Sequence, residues 1–156
     1  MRQEKSLEIV KDQSGKPFDI TRKWNVSLSH TNVLAAAAVS KPFYVGVDIE
    51  KLDNRAARIA SRFLSENELE YLQNQSPETF TLFWSAKESL YKLIGQSGIS
   101  FSRQLHIEPT SLKKEGYLIA SINLKDTNIS GLKIYYRFLQ NHVFTLVSSN
   151  TTLLNL

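Results

Sequence analysis

The sequence contains no cysteine among its 156 residues. Disulfide bonds and metal sites built on thiolates are therefore excluded, and the composition fits a reducing cytoplasm. Long apolar runs are also missing, since no stretch of about 18 apolar residues occurs, as a membrane-spanning helix would need. The N-terminal segment lacks the apolar core of a signal peptide. We therefore predict a cytoplasmic protein with no membrane partner.

A large excess of one charge is absent as well, because the formal net charge is only +4. This value permits an acidic partner or a phosphate ligand without requiring either. Internal repeats, linkers and low-complexity tracts do not occur. The hydrophobic content of 42% is ordinary for a globular protein, and the length is that of one domain. We expect a single domain over residues 1–156 with a sizeable buried core.

Short segments of apolar or alternating residues predict strands on both sides of a helical middle. The predicted strands are 6–10, 24–30, 33–39, 43–50, 105–108, 117–124, 132–139 and 143–148. Turns are expected at 12–17, 128–131 and 140–142, with a frayed tail from residue 150. Segment 33–39 contains four alanines, and we interpret it as a buried strand, with a helix as the alternative. Short connections between residues 24 and 50 predict a three-stranded antiparallel meander.

Three helices are predicted between these groups of strands. Residues 53–54 can cap a helix over 55–63, and the pattern over 65–68 is a capping box at the start of the next helix. The longest predicted helix runs from about Pro77 to Ile94, where apolar residues recur at helical spacing. A sheet, then helices, then more sheet predicts an α+β fold.

Two carboxylates, Asp48 and Glu50, lie two residues apart at the end of the third predicted strand, so they face the same side. Side by side they repel each other unless a cation or solvent relieves the repulsion. Hard carboxylate oxygens suit Mg2+, which keeps water ligands and shares its coordination with substrate phosphates. The alternative is a polar strand end, because the Asp-x-Glu pattern alone is common.

Glu88 lies between two lysines in the long predicted helix. Lys92 is four residues further on, along the same helix ridge, while Lys87 projects about 100° away. One interpretation is a solvated ion pair worth a few tenths of a kcal/mol. The other is a magnesium–diphosphate site, in which Glu88 joins Asp48 and Glu50 on the metal. Both lysines would then bind phosphate oxygens.

Two further groups of polar residues can bind anions or partners. Ser29 and His30 end a predicted strand and could hold another phosphate, although a histidine with a structural hydrogen bond is the more common case. Arg55, Arg58 and Arg62 follow each other at i, i+3 and i+7, a spacing that defines a basic stripe. The stripe suits an acidic helix of a partner protein, or it is a solvated face. No aromatic residue interleaves it, so no nucleic-acid partner is expected.

Two motifs together resemble the 4'-phosphopantetheinyl transferase family. The first is GVDIE at residues 46–50, and the second, about 35 residues later, is WSAKESLYK at residues 84–92. Three shorter segments match the family pattern as well, namely FLSENE at 63–68, SLSH at 27–30 and GKP at 15–17. Each piece alone is common, whereas their combination is specific.

The resemblance implies a 4'-phosphopantetheinyl transferase-like fold, an antiparallel sheet packed against a long helix and shorter helices. It implies Mg2+-dependent transfer of the 4'-phosphopantetheine group from coenzyme A to a serine of an acyl or peptidyl carrier protein. Adenosine 3',5'-bisphosphate would be released, as in holo-acyl-carrier-protein synthases. Such an activity would serve fatty acid or polyketide biosynthesis.

The resemblance also implies roles for individual residues. Asp48, Glu50 and Glu88 would bind Mg2+. Glu88, directly or through a metal-bound water, would take the proton of the carrier serine. Lys87 and Lys92 would hold the coenzyme A phosphates, and Lys92 would also stabilise or protonate the leaving group.

Other family roles fall on Lys16, Ser29 and His30, which would contact the nucleotide part of coenzyme A. The basic stripe would meet the acidic helix of the carrier protein. Larger members with these segments are pseudo-dimers of two similar halves, whereas small members form homotrimers with sites between subunits. This sequence has features of both, so we expect a homo-oligomer, a dimer or a trimer. The alternative hypotheses are a catalytically silent relative that binds coenzyme A or a carrier protein, and an unrelated magnesium-dependent phosphohydrolase.

Overall fold

A computed structural model of the chain describes residues 7–13 and 15–150, which contain nine strands and five helices. The strands are Ile9–Lys11 (β1), Pro17–Asp19 (β2), Asn25–His30 (β3), Ala35–Ser40 (β4), Tyr44–Lys51 (β5), Leu105–Ile107 (β6), Glu115–Leu124 (β7), Thr127–Leu139 (β8) and His142–Ser149 (β9). The helices are Arg55–Arg58 (α1), Ala60–Phe63 (α2), Glu66–Leu72 (α3), Pro77–Ile94 (α4) and Phe101–Gln104 (α5). Helices together with an antiparallel sheet agree with the predicted α+β class. Within the described ranges, no helix is long and apolar enough to cross a membrane.

The main sheet is five-stranded and antiparallel, with the order β5-β9-β8-β7-β6. β1 pairs with β2, and β3 pairs with β4, as two separate antiparallel ribbons. The predicted meander over residues 24–50 is wrong, because the backbone partner of β5 is β9, from the far end of the chain. β3 approaches β5 through serine side chains instead, since Val47 N–H donates to Ser27 Oγ and Ile49 N–H to Ser29 Oγ. Short connections therefore brought the segments together without making them one sheet.

Strand β4 confirms the predicted strand at 33–39, but the expected burial is wrong. Its residues alternate between exposed and half-buried, and Val33 just before it is 74% exposed. A two-stranded ribbon has one face against the protein and one free, so half of its side chains stay outside whatever their polarity. The four alanines therefore belong to a two-stranded ribbon at the surface and not to a strand of the core.

Two further boundaries differ from the sequence prediction. The helix expected over 55–63 is broken at Ile59, whose φ of −111° and ψ of 15° separate α1 from α2. The turn expected at 128–131 lies inside β8, where the pairing with β7 shifts register between Ala120 and Ile122. Gly131, with a φ of +70°, allows the backbone distortion at this irregularity. Helix α5 is not predicted, and residues 6, 14 and 151–156 of the predicted elements lie outside the described part.

Helix α4 has the predicted bounds and lies against the main sheet. Pro77 occupies its first turn, and Gly95 ends it in a left-handed conformation with a φ of 68°. Most of its residues are buried, including Leu82, Phe83 and Leu90. Strand β5 passes so close to α4 that a Cβ on Gly46 would lie 1.9 Å from the backbone oxygen of Ser89. A glycine is therefore required at this crossing, and the carboxylates that follow it are held against α4.

Candidate functional site

Asp48 lies in β5 with its carboxylate almost fully buried, at 3% exposure. Its Oδ1 accepts hydrogen bonds from Ser29 Oγ at 2.8 Å and from Lys92 Nζ at 2.7 Å. Its Oδ2 is buried and has no hydrogen-bond partner within the described residues. A buried carboxylate oxygen without a partner is costly unless something binds it. Asp48 thus has one oxygen that accepts two hydrogen bonds and one buried oxygen that accepts none from the described residues.

Glu50 lies two residues further along β5, and its Oε1 accepts a hydrogen bond from Trp84 Nε1 at 3.0 Å. The Trp84 ring is packed edge-on against Phe63 and tilted against Phe101, with centroid distances of 5.2 and 5.7 Å. Partial burial and the charge of Asp48 raise the pKa of Glu50. The indole therefore orients a carboxylate whose ionised form is disfavoured by burial and by the charge of Asp48.

Glu88 projects from α4 toward the same two carboxylates. Burial first, and then the charges of Asp48 and Glu50, raise its pKa to about 7 against the opposing effect of Lys92. Glu88 therefore lies within range of the charges of Asp48 and Glu50, in a poorly solvated region. The structure thus brings together the three acidic residues that the sequence analysis assigned to one site.

These carboxyl groups do not form a finished metal centre. No group of three or more histidine or acidic side chains in residues 7–13 and 15–150 is arranged to hold a metal ion. The donor set nevertheless fits Mg2+: oxygen atoms only, an unpartnered Asp48 Oδ2 and raised pKa values that a cation would reverse. Because Mg2+ keeps several waters and shares phosphate oxygens, one or two carboxylates suffice.

Lys92 connects these carboxylates to a cavity of about 710 Å³. Its walls include Gly15, Lys16, Pro17, Val26, Ser27, Leu28, Tyr91, Lys92, Gly95, Gln96 and Ser97. Lys16 from the GKP segment therefore shares this cavity with Lys92. Partial burial lowers the pKa of Lys16, and the nearby Asp12 carboxylate opposes the effect. The result is a half-open, positively charged recess beside the acidic cluster of Asp48, Glu50 and Glu88.

Ser29 and His30 occupy different environments at the end of β3. The Ser29 hydroxyl is engaged by Asp48 and by the backbone N–H of Ile49. His30 is exposed, and its Nδ1 lies 3.3 Å from the backbone oxygen of Thr31. Of this pair, His30 remains accessible to a ligand, whereas Ser29 faces the acidic cluster.

Lys87 does not lie in the recess. Its side chain is completely buried, and its Nζ donates to Glu68 Oε2 at 2.6 Å and to the backbone oxygens of Phe63 and Phe101. The expected contact with coenzyme A phosphates disagrees with this placement, because three donors are already used inside the protein. Burial lowers the pKa of Lys87, and the Glu68 carboxylate partly offsets this. Helical spacing could not reveal a buried acidic partner 19 residues earlier in the chain.

The basic stripe is exposed but does not run along one continuous helix. Arg55 and Arg58 lie on α1 and Arg62 on α2, after the break at Ile59. Arg55 Nε also pairs with Asp53 Oδ2 at 2.6 Å. A shallow cavity of about 240 Å³ connects this region to the acidic cluster, and Glu50, Arg55, Ile59 and Trp84 are among its lining residues. An acidic partner on the stripe would therefore be close to the carboxylates.

The sequence analysis missed several residues of the recess. Tyr91 lines it beside Lys92, and its ring packs against Phe101 at a centroid distance of 5.5 Å. Gln96 and Ser97 close one side from the loop after α4. Their position directly after a motif-bearing helix is the only signal in the sequence, and polar loop residues are too common for that signal to single them out.

Comparison with known proteins agrees with the geometry. Residues 44–147 match the model of the 4'-phosphopantetheinyl transferase superfamily. The chain is 36% identical over 91 residues to the 4'-phosphopantetheinyl transferase gsp of Aneurinibacillus migulanus, covering 55% of this chain and 37% of that protein. It is 36% identical over 118 residues to the 4'-phosphopantetheinyl transferase of Bacillus subtilis, covering 72% of this chain and 50% of that protein.

The chain thus spans half or less of the length of these curated relatives. The matching segment of the family model nevertheless extends over more than half of the chain. It includes strand β5, helix α4 and all three carboxylates of the acidic cluster. The chain belongs to the 4'-phosphopantetheinyl transferase superfamily.

Proposed function

We propose that the protein transfers the 4'-phosphopantetheine group of coenzyme A to a serine of an acyl or peptidyl carrier protein. The observation that carries this proposal is the acidic cluster of Asp48, Glu50 and Glu88 beside the Lys92 recess. It combines an oxygen-only donor set with a cationic recess, which is the combination that a diphosphate and Mg2+ need. A bound Mg2+ would be held by these carboxylates and would neutralise charge on the diphosphate.

In the proposed reaction the serine oxygen attacks the phosphorus that carries the pantetheine arm. A new phosphorus–oxygen bond forms, and the bond from that phosphorus to the bridging oxygen of the diphosphate breaks. The bridging oxygen leaves with the nucleotide as adenosine 3',5'-bisphosphate. The serine proton must be removed as its oxygen attacks, so a base is required close to the phosphate.

Glu88 is the proposed base. Its pKa is about 7 in the metal-free protein, and a bound cation would lower that value. The argument for Glu88 is therefore its position in the acidic cluster, from which it would take the serine proton directly or through a metal-bound water. Glu88→Gln should abolish transfer.

Lys92 is the proposed electrostatic partner of the leaving group. Its Nζ donates to Asp48 Oδ1 and to the backbone oxygen of Val47, so its position is set before any ligand binds. One ammonium proton remains for a phosphate oxygen. A cation held in place in this way stabilises negative charge that develops as the bridging bond breaks.

The remaining roles follow from position. Lys16 and the exposed His30 are proposed to contact the nucleotide part of coenzyme A, and the basic stripe to contact an acidic helix of the carrier protein. A homo-oligomer remains part of the proposal, since a second copy could supply further cations for the nucleotide. Light scattering that found a fully active monomer would contradict this last point.

Intact mass spectrometry tests the activity directly. Apo carrier protein, coenzyme A and Mg2+ are incubated with the protein, and the carrier is expected to gain the mass of one phosphopantetheine group. No gain on several carriers, with coenzyme A still bound, would instead identify a silent relative. Phosphate release from simple esters would favour a phosphohydrolase. Unchanged turnover in Glu88→Gln would remove the proposed base.

A further inference from the structure

Ser29 and Ser27 make equivalent contacts with β5 but only Ser29 reaches a carboxylate. Val47 N–H donates to Ser27 Oγ at 3.0 Å, and Ile49 N–H donates to Ser29 Oγ at 3.3 Å. In addition, Ser29 Oγ donates to Asp48 Oδ1 at 2.8 Å. A hydroxyl has a single proton to donate. The proton of Ser29 is therefore committed to Asp48 and is not available for a phosphate.

The two donors to Asp48 converge on the same oxygen atom. Ser29 Oγ and Lys92 Nζ both bind Oδ1, and Oδ2 is left buried without a partner in the described part of the chain. Ser29 belongs to β3 and Lys92 to α4, so the carboxylate is held from two separate elements. This arrangement fixes the plane of the carboxylate and keeps the lone pairs of one oxygen free.

We infer that Ser29 is a positioning residue, whose hydroxyl orients Asp48 so that Oδ2 faces the divalent cation. The inference rests on the proposed function, because it needs a cation at the acidic cluster. It replaces the nucleotide contact expected of Ser29 from sequence with a role that acts through Asp48. Removing a hydrogen-bond partner that orients a metal-ligating carboxylate typically lowers metal affinity 10- to 100-fold.

The test is the binding of Mn2+ to the full chain at saturating coenzyme A, measured by electron paramagnetic resonance of the free ion. Ser29→Ala should weaken Mn2+ binding about tenfold. Asn25→Ala is the control, because it removes a side-chain hydrogen bond from β3 to the backbone oxygen of Phe43, just before β5, and leaves Asp48 untouched. It should lower the melting temperature with Mn2+ affinity unchanged. In the transfer assay, Ser29→Ala should raise the Mg2+ concentration for half-maximal rate without raising the KM for coenzyme A.

Conservative replacements keep the test decisive if Ser29→Ala does not fold. Ser29→Thr retains the hydroxyl and should restore Mn2+ affinity, whereas Ser29→Cys retains the size with a weaker donor and should fall in between. Wild-type affinity in Ser29→Ala or Ser29→Cys would overturn the inference, as would equal weakening by Asn25→Ala. If the wild-type protein itself binds no Mn2+, the metal part of the proposed function fails and the inference fails with it.

Discussion

Lys87 Nζ and Glu68 Oε2 form an ion pair of 2.6 Å, with side-chain exposures of 0% and 5%. Glu68 is also the N3 residue of the α3 capping box, since it accepts from Ser65 N–H and receives Ile107 N–H on its other oxygen. The pair therefore joins α3, α4 and β6 at the residue directly before Glu88. Its role in the structure is to fix the helix that carries Glu88, while Asp48 and Glu50 lie on β5.

We predict that Lys87→Met destabilises the protein by about 3–5 kcal/mol, because it leaves the Glu68 carboxylate buried without its partner. The free energy of unfolding, measured in urea, checks this. If Lys87 instead bound coenzyme A phosphates, the variant would keep its stability and show a raised KM for coenzyme A.

A second substitution separates the loss of charge pairing from the loss of packing. Adding Glu68→Gln to Lys87→Met should recover only part of the lost stability. The amide has no charge to bury, but its single oxygen can accept just one of the two backbone N–H groups, from Ser65 and Ile107, that the carboxylate binds. A double variant less stable than Lys87→Met would contradict the account of the pair.

Gly46→Ala should destabilise the protein by about 3 kcal/mol or more, or prevent folding. The new Cβ would lie 1.9 Å from the Ser89 oxygen and 2.9 Å from the Leu93 nitrogen, and both are backbone atoms of α4. Gly116→Ala in β7 is the control, because its nearest obstacle is the Tyr136 hydroxyl at 3.2 Å. A side chain can shift by a few tenths of an ångström, so thermal unfolding should show a much smaller loss. Similar losses in the two variants would contradict this explanation of the motif.

Glu88→Gln should make the metal-free protein more stable at pH 8, by up to about 3 kcal/mol. The pKa of Glu88 is raised from 4.5 to about 7, so the folded state binds the proton more tightly than the unfolded state. The wild-type free energy of unfolding therefore falls as pH rises from about 4.5 to 7. The glutamine variant does not lose this stability, because its side chain does not ionise. The two proteins should be equally stable near pH 4.

Urea unfolding across this pH range, in the presence of EDTA, gives the comparison. Glu78→Gln on the same helix is the control with the opposite sign, because a hydrogen bond from Ser76 lowers the pKa of Glu78. Its variant should gain no stability as the pH rises. A stability difference between wild type and Glu88→Gln that is independent of pH would show that the carboxyl is not perturbed.

Arg58→Glu combined with Arg62→Glu should reduce kcat/KM for an acidic carrier protein at least tenfold at low salt, with the KM for coenzyme A unchanged. Charge reversal on the basic stripe repels an acidic helix, and the effect should shrink as ionic strength rises. Lys125→Glu combined with Lys133→Glu changes two exposed charges and gives the same change in net charge. This control should leave carrier kinetics intact, and an equal loss would indicate an effect of net charge only.

Local sequence patterns are sufficient to predict those elements whose hydrogen bonds join residues only a few positions apart. Helix α4 begins at Pro77 and ends before Gly95 as predicted, and the capping box of Ser65 and Glu68 is confirmed. The spacing of Asp48 and Glu50 likewise fixes that both carboxylates leave the same face of β5, because strand side chains alternate.

Strand pairing, side-chain partners and pKa values depend on groups that are remote in sequence, and local patterns do not predict them. Strand β5 pairs with β9, from the far end of the chain. Lys87 forms an ion pair with Glu68, and the Ser29 hydroxyl donates a hydrogen bond to Asp48. Packing also decides the proton affinity of Glu88, because desolvation and the charge of a strand 40 residues away raise its pKa to about 7. The sequence by itself therefore determines which chemical groups are present at the site. Their burial, their partners and their charge states are decided by the tertiary structure, because only the packing of distant segments removes water from these groups.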